Sequence, residues 1–232
     1  APAGDRLKVG LVGCGGRGTG AANQAINADP GVMLWAMGDV YEDRLKNSYN
    51  GLKNQHGTRV MVDQERQFVG FDAIDKVLES DVDVVILATP PGFRPDHLEK
   101  SVSAKKHVFC EKPMATDMPG LRRVMESAKK AKSQGTQLMS GFCWRYSMPE
   151  RAMYGEINDG ALGEIESVHS TYHTGPLGTR ARTPEMTDMD FELRNWQHQN
   201  WLSGDIIVEQ AVHCVDKMNW AMGNKPPVKA TA

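Results

Sequence analysis

The sequence has few cysteines and no long uninterrupted apolar run. Its four cysteines, Cys14, Cys110, Cys143 and Cys214, are scattered along 232 residues without a C-x-x-C pair, which argues against a disulfide framework and against a zinc cluster. We interpret them as small, mostly buried apolar residues. No apolar stretch approaches the roughly 20 residues that a transmembrane helix needs, so we expect no membrane partner.

The sequence also has no large excess of positive or negative charge. The formal net charge is −2 and no long run of Lys or Arg is present, so we expect no nucleic-acid partner. A hydrophobic content of 40% is typical of a globular protein, and the length has room for two domains. Because the chain opens on Ala1-Pro2-Ala3 without an initiating Met, we expect that an upstream segment was removed, by a signal peptidase or in preparing the protein. Two locations stay open: the cytoplasm, or the periplasm after export and removal of a signal peptide.

Three glycines follow the first apolar strand at the spacing of a dinucleotide-binding turn. Gly13, Gly15 and Gly18 form G-x-G-x-x-G after an apolar stretch that ends at Val12. Gly13 would allow a tight turn with positive φ. Gly15 would let a pyrophosphate approach the backbone, and Gly18 would let the next helix pack against the strand. We expect that helix to begin near Gly18 and Thr19, with its N–H groups and dipole facing the phosphates.

A second apolar run, residues 32–37, ends at Gly38 and Asp39. A carboxylate about 20 residues beyond the last glycine is where dinucleotide sites hold a ribose diol, and a plain turn residue is the alternative. Arg44 lies near enough in sequence to meet a 2′-phosphate, so NADP stays open. The Asp39 carboxylate would repel that phosphate, which favours NAD.

Strands and helices alternate through the first 142 residues. Residues 82–89 form a nearly continuous apolar run rich in β-branched side chains, which is typical of a strand covered by helices on both faces. The predicted strands are 7–12, 32–37, 59–63, 82–89, 107–110 and 137–142; the predicted helices begin near 18 and 71 and cover 41–55, 95–104 and 121–133. This alternation predicts an α/β fold with a doubly wound parallel Rossmann sheet over residues 1–142.

The pattern changes beyond residue 143. We predict helices over 148–158 and 207–222, a strand over 164–173 from its period-two alternation, and a further strand at 226–230. Residues 175–200 form a long irregular segment, and such segments are usually functional or mobile. We therefore expect residues 143–232 to begin a second, α+β domain.

Glu111, Lys112 and Pro113 follow the predicted fifth strand, at the carboxyl edge where doubly wound sheets bind ligands. A lysine there can donate to a substrate hydroxyl and favour its alkoxide form. The alternative is a solvated surface lysine before a turn proline.

Glu209 and His213 lie four residues apart on a predicted helix, with Asp216 three further on. A histidine beside a carboxylate suits proton transfer, and a structural histidine or a Glu–His metal pair is the alternative. No third ligand is clearly placed, so we predict no metal site. Arg145 and Tyr146 follow the sixth strand, where the arginine would either clamp a polyol or close the junction between domains.

In their order and spacing, these motifs resemble the Gfo/Idh/MocA oxidoreductases, which include glucose–fructose oxidoreductase and inositol dehydrogenase. The motifs are Gly13-x-Gly15-x-x-Gly18, Asp39, Thr89-Pro90, Glu111-Lys112-Pro113 and Glu209…His213…Asp216. The resemblance implies catalytic roles for Lys112 and His213. It also implies a second domain with an open, mostly antiparallel sheet for substrate and dimerisation, of which this chain holds only the first part. Glu209 stands where the family commonly has Asp.

The resemblance further implies the residues of the binding sites. Those expected to bind the cofactor, NAD with NADP open, are Gly13, Gly15, Gly16, Arg17, Gly18, Asp39, Arg44, Thr89, Pro90, His97, Glu111 and Lys112. Those expected to bind a small carbohydrate or polyol are Lys112, Arg145, Tyr146, Glu209 and His213. A homo-oligomer is expected for the full-length protein.

The resulting hypothesis is a nicotinamide-dependent oxidoreductase acting on a sugar or cyclic polyol. His213 would remove the hydroxyl proton, Lys112 would stabilise the oxyanion, and hydride would pass to the nicotinamide ring. Two alternatives stay open. One is a redox-assisted glycoside hydrolase or lyase, and the other is a cofactor-binding sensor or regulator without turnover.

Overall fold

The computed structural model describes residues 6–231. The chain divides into two compact units, with the division between Ser140 and Gly141, two residues before the predicted boundary. The chain start, where we expect processing, lies outside the described residues.

The first unit is a six-stranded parallel sheet with helices between successive strands. Its strands are β1 (Leu7–Val12), β2 (Val32–Asp39), β3 (Gln67–Val69), β4 (Val84–Leu87), β5 (His107–Cys110) and β6 (Leu138–Ser140). Its helices are α1 (Gly16–Ala28), α2 (Glu42–His56), α3 (Ala73–Glu79), α4 (Arg94–Ser103) and α5 (Met118–Gln134). The strand order β3-β2-β1-β4-β5-β6 reverses direction between β1 and β4, so the predicted doubly wound Rossmann sheet is confirmed.

The core of this unit lies on both faces of the sheet. Leu11 and Ile86 pack in one cluster with the apolar side chains of α1 and α2. Val12, Val85 and Leu87 pack in a second cluster with those of α3, α4 and α5. Successive strand residues point to opposite faces, and both faces are covered, which explains why the β4 sequence is apolar without interruption.

The third strand differs from its prediction. Residues 59–63 do not form a strand, because a 3₁₀ turn (Gly57–Arg59) leads into a single bridge between Val60 and Leu34. Val60 and Val62 are nevertheless buried in the core, which explains why apolar and polar residues alternate in this stretch. The strand that pairs with the end of β2 is β3. Helix α1 begins at Gly16, two residues before the predicted start.

Over residues 141–231, the regular secondary structure of the second unit consists of helices, and a long segment, 159–187, has none. Its helices are α6 (Met148–Asn158), α7 (Asp188–Arg194), α8 (Asn200–Ser203) and α9 (Val212–Ala221), with a π-helical segment, Ile207–Ala211, directly before α9. Neither the strand predicted over 164–173 nor that over 226–230 forms in these residues. A strand is stable only when a neighbour accepts its ladder bonds, and no segment of the described second unit pairs with either. The mostly antiparallel sheet is therefore not formed here.

The segment 175–200, predicted to be irregular, contains α7. Thr187 caps this helix by accepting a hydrogen bond from the backbone N–H of Asp190 at 3.1 Å. Of the helices between residues 6 and 231, none has the length and apolar character needed to cross a bilayer.

Replacing Gly18 with Ala should destabilise the first unit, because a Cβ there would lie 1.8 Å from the Gly13 carbonyl oxygen. We expect the free energy of unfolding to fall by about 2–3 kcal/mol, a typical loss for overpacking. The matched control is Gly51→Ala in α2, where a Cβ meets nothing within 4 Å; it should gain about 0.5–1 kcal/mol from helix propensity. Urea denaturation measures both, and equal effects of the two substitutions would contradict the packing argument.

Candidate functional site

The glycine turn after β1 contains two kinds of glycine. Gly13 has a φ of +94°, and a Cβ there would lie 2.6 Å from the Ala88 backbone, so no other residue fits without a shift. A Cβ at Gly18 would collide with the Gly13 carbonyl, whereas a Cβ at Gly15 or Gly16 would meet nothing within 4 Å. The first pair, Gly13 and Gly18, fixes the packing of α1 against β1 and β4, and the second pair borders open space.

Helix α1 directs its first turn toward that space. Gly15 is the N-cap, and the first intrahelical bond runs from the Thr19 N–H to the Gly15 carbonyl at 2.9 Å. The N–H groups of the first turn have no partner within the helix, and they carry the positive end of its dipole. This arrangement suits a phosphate group.

Asp39 ends β2 and fastens the glycine turn. Its carboxylate accepts hydrogen bonds from the backbone N–H groups of Cys14 at 2.6 Å and of Tyr41 at 2.8 Å. Burial raises the pKa of Asp39 above its ordinary value, while the N–H groups of Tyr41 and Cys14 and the nearby Arg44 oppose that rise. The Arg44 guanidinium lies over the Tyr41 ring at 5.2 Å. Through these hydrogen bonds Asp39 fixes the position of the glycine turn, which a plain turn residue would not do.

The loop after β4 carries Thr89 and Pro90, and helix α4, which follows it, carries His97. The Thr89 hydroxyl lies 3.1 Å from Nδ1 of His97, and Phe93 stacks on the imidazole with ring centroids 5.9 Å apart. Burial lowers the pKa of His97 to about 4. The imidazole is therefore neutral at physiological pH and holds the threonine at the carboxyl edge of the sheet.

Lys112 follows β5 and lies between Glu111 and Pro113, each of which accepts a hydrogen bond from an arginine. The buried Glu111 carboxylate accepts from Nε of Arg17 at 2.6 Å, and Arg17 belongs to the first turn of α1. The Pro113 carbonyl accepts from the Arg94 guanidinium. The Lys112–Pro113 peptide bond is cis. The structure therefore brings the lysine loop and the glycine turn to the same edge of the sheet.

In the second unit, His213 is buried among aromatic rings. Tyr172 stacks on its imidazole with centroids 5.9 Å apart and an interplanar angle of 19°. Phe142 and Trp144 meet the same ring edge-on at 6.3 Å and 6.5 Å. Such contacts exclude water and fix the orientation of the imidazole.

The sequence predicts two carboxylates near His213, those of Glu209 and Asp216. Asp216 forms a two-point ion pair with Arg145, Nε to Oδ2 at 2.9 Å and Nη2 to Oδ1 at 2.8 Å. A role of either carboxylate in orienting His213 stays a prediction. Glu209 is buried in the π-helical segment, and single π turns are frequent at functional sites. Tyr146 is exposed.

Arg145 serves packing within its own unit. Besides Asp216, its guanidinium donates to the Asn224 side chain at 2.7 Å and lies over the Trp220 ring at 4.8 Å. A contact of Arg145 with substrate stays a prediction.

A cavity of about 270 Å³ lies beside Glu209. Its lining is dominated by amides, carboxylates and one imidazole, with two apolar side chains. The lining residues are Leu177, Gln197, His198, Asn200, Asp205, Ile206, Glu209 and Gln210. Hydrogen-bonding groups of this density suit a ligand with several hydroxyls. Over residues 6–231, no group of three or more His, Cys, Asp or Glu side chains is arranged to hold a metal ion.

Comparison with known proteins agrees with this geometry. Residues 7–142 match the family GFO_IDH_MocA, described as "Oxidoreductase family, NAD-binding Rossmann fold".

The chain belongs to the Gfo/Idh/MocA oxidoreductases.

Relatives of known name support the same family. Inositol 2-dehydrogenase of Rhizobium meliloti is 27% identical over 227 residues, which are 97% of this chain and 58% of that protein. Myo-inositol 2-dehydrogenase of Thermotoga maritima is 25% identical over 94% of this chain and 56% of that protein. The chain therefore spans about half the length of these curated relatives.

Solved structures share the fold. The structure of aldose-aldose oxidoreductase from Caulobacter crescentus, complexed with glycerol, superposes with a TM-score of 0.69 at 20% identity, over 94% of this chain and 58% of that one. The WlbA dehydrogenase from Bordetella pertussis, in complex with NADH and UDP-GlcNAcA, gives a TM-score of 0.67 at 24% identity, over 93% of this chain and 55% of that one.

The residues of the glycine turn fit NAD, the cofactor of the Gfo/Idh/MocA family. The open space beside Gly15 and Gly16 and the N–H groups of the first turn of α1 match a diphosphate. The Asp39 carboxylate accepts two backbone bonds, yet a carboxylate has about four acceptor positions, so it can also accept from a ribose hydroxyl. When bound, NAD supplies a nicotinamide ring that accepts hydride.

Sequence reasoning does not identify Arg94 in the first unit or Tyr172 in the second. Arg94 is absent from the predicted site. Tyr172 belongs to a predicted strand, and its spacing does not connect it with His213. The contacts of both residues join segments that are separated in sequence, so local patterns do not reveal them.

Replacing Gly15 with Ala should weaken NAD binding without harming the fold. The backbone of Gly15 (φ −69°, ψ −178°) suits Ala, and the added methyl group would occupy the space assigned to the diphosphate. We expect the Kd for NAD to rise at least about tenfold, equivalent to 1.4 kcal/mol, with the free energy of unfolding changed by less than about 0.5 kcal/mol. Calorimetric titration measures the Kd. Gly20→Ala in the same helix is the control, and an unchanged Kd for Gly15→Ala would contradict the assignment.

The low pKa of His97 predicts a specific pH dependence of stability. Between pH 4 and 6.5 the unfolded state binds a proton that the folded imidazole does not, so stability rises with pH across this window. His97→Asn keeps a polar group near Thr89 and removes the titration. The wild type should therefore gain up to about 3 kcal/mol relative to the variant between pH 4 and pH 7. Urea denaturation at several pH values measures the difference; a constant difference would show that His97 titrates normally.

Proposed function

We propose that the protein is an NAD-dependent oxidoreductase that acts on a hydroxyl-bearing carbon of a sugar or polyol. The observation that carries the proposal is the ion pair between Arg17 and Glu111. It ties the helix that faces the cofactor to the loop that holds Lys112. A cation at the end of β5, beside a dinucleotide turn, is suited to stabilise an alkoxide next to a hydride acceptor.

The side chains divide the chemistry between them. The Lys112 ammonium would donate to the substrate hydroxyl oxygen and stabilise the negative charge that develops there. His213, oriented by Tyr172, Phe142 and Trp144, would take the hydroxyl proton.

Asp39 supports NAD over NADP. A 2′-phosphate would lie against a carboxylate whose position is fixed by Cys14 and Tyr41, and like charges at short range repel. The Arg44 guanidinium lies over the Tyr41 ring, so the tyrosine already occupies one face of the guanidinium.

The cavity beside Glu209 supports a substrate with several hydroxyls. Its lining offers the side chains of Asn200, Asp205 and Gln210 as hydrogen-bonding groups. Relatives named inositol 2-dehydrogenase are in keeping with a neutral polyol. We also propose that the full-length protein is a homo-oligomer, which light scattering on a sizing column tests.

Replacing Lys112 with Met should greatly lower turnover and leave cofactor binding nearly intact. Methionine keeps much of the side-chain volume and removes the charge that stabilises the oxyanion, a loss of roughly 10²–10³ in kcat. NADH formation is followed by its absorbance with neutral inositols and hexoses as substrates. The control is Lys129→Met, which removes an exposed ion pair with Glu126 and should leave kcat unchanged.

Two results would contradict the proposal: retained turnover in Lys112→Met, or no NADH from any neutral polyol in the wild type. Net glycoside cleavage without net NADH would instead support the hydrolase or lyase alternative.

A further inference from the structure

Arg94 is a buried cation that the proposed chemistry does not use. It is 3% exposed and is the first residue of α4. Its guanidinium donates to the Thr89 carbonyl at 2.5 Å and to the Pro113 carbonyl. These carbonyls belong to two different loops, one after β4 and one after β5, so a single side chain joins two neighbouring strand ends.

An arginine at this place is costly for the fold. Its charge is permanent, burial removes its hydration, and the N-terminal turn of a helix carries the positive end of the dipole. A methionine would fill comparable volume without that desolvation. What an arginine adds is a planar fork with several donors in fixed directions, which holds two acceptors at a defined separation. A single ammonium group lacks this geometry.

The two acceptors flank the parts of the site that must be aligned. Thr89 bears the hydroxyl that His97 holds. Pro113 directly follows Lys112, and Glu111, which directly precedes it, is held by Arg17. Lys112 therefore lies between two residues that are each fixed by a guanidinium group from another element.

We propose that Arg94 is a positioning residue, which sets the main chain of Lys112 by holding Pro113 against the loop after β4. The inference rests on the proposed function, because it presumes that Lys112 meets the substrate. Arg94 contacts neither reacting atoms nor cofactor in this assignment. Its effect is geometric, and a shift of about 1 Å in a catalytic group can lower the rate about 100-fold.

The test compares Arg94→Met and Arg94→Lys with the wild type. Arg94→Met should lower kcat about 100-fold and change the KM for NAD less than about threefold. Arg94→Lys should lie in between, because its ammonium retains the charge and lacks the fork. Added guanidinium chloride should restore part of the kcat of Arg94→Ala, whose truncated side chain leaves space for the free ion, and should not restore that of Arg94→Met, whose side chain fills this space. The control Arg123→Met removes surface ion pairs with Glu99 and Asp96 and should show neither the loss nor the rescue.

A second readout does not require turnover. Backbone ¹⁵N order parameters of Glu111, Lys112, Met114 and Ala115 should fall in Arg94→Met from about 0.85 toward 0.6, while those of β1 and β2 stay unchanged. Unchanged order parameters would overturn the inference, and so would a uniform fall across the whole sheet, which indicates a merely structural role. If Arg94→Met does not fold, the same measurement on Arg94→Lys decides. A wild type without NAD turnover refutes the proposed function, whereas the order parameters still report on Arg94.

Discussion

The contact between the Gly18 backbone and the Gly13 carbonyl is the constraint on which the rest of the site depends. With no room for a Cβ at Gly18, α1 can approach the end of β1 as closely as two backbones allow. That approach directs the first turn of α1, with Gly15 and Gly16, toward open space at the carboxyl edge of the sheet. If α1 were displaced by the width of a methyl group, the N–H groups of its first turn would no longer face this space, and the anion site would be lost.

Polar contacts then join this turn to the neighbouring strand ends. Asp39 binds the Cys14 N–H and so connects β2 to the turn. Arg17 binds Glu111 and connects α1 to the loop after β5. Arg94 connects that loop to the loop after β4. Each contact uses a charged group in or near a buried position, where hydrogen bonds are stronger and an unmade bond is expensive. These contacts therefore connect the ends of β2, β4 and β5 and the first turn of α1 at one edge of the sheet.

The sequence predicted those parts of the fold that local patterns encode. Most strands of the central sheet and helix α6 followed from periodicity, and the conformation of Gly13 followed from its place after a strand. Prediction was wrong where the outcome depended on a partner. Residues 59–63 alternate as a strand does, yet Val60 makes only one bridge; residues 164–173 alternate as well and find no neighbour among the described residues. The ion pair of Asp216 with Arg145 joins residues that are 71 positions apart, so local spacing does not reveal it.

The most direct test of the central claim is an amide-resolved NMR titration of the protein with NAD. The claim is that a diphosphate binds at the first turn of α1, with its ribose at Asp39. It predicts saturable shifts of the backbone N–H resonances of Gly15, Gly16 and Arg17, followed by those of Cys14 and Tyr41, which Asp39 binds. Saturable binding that leaves these resonances unmoved and perturbs another region, or no binding at all, would contradict the account.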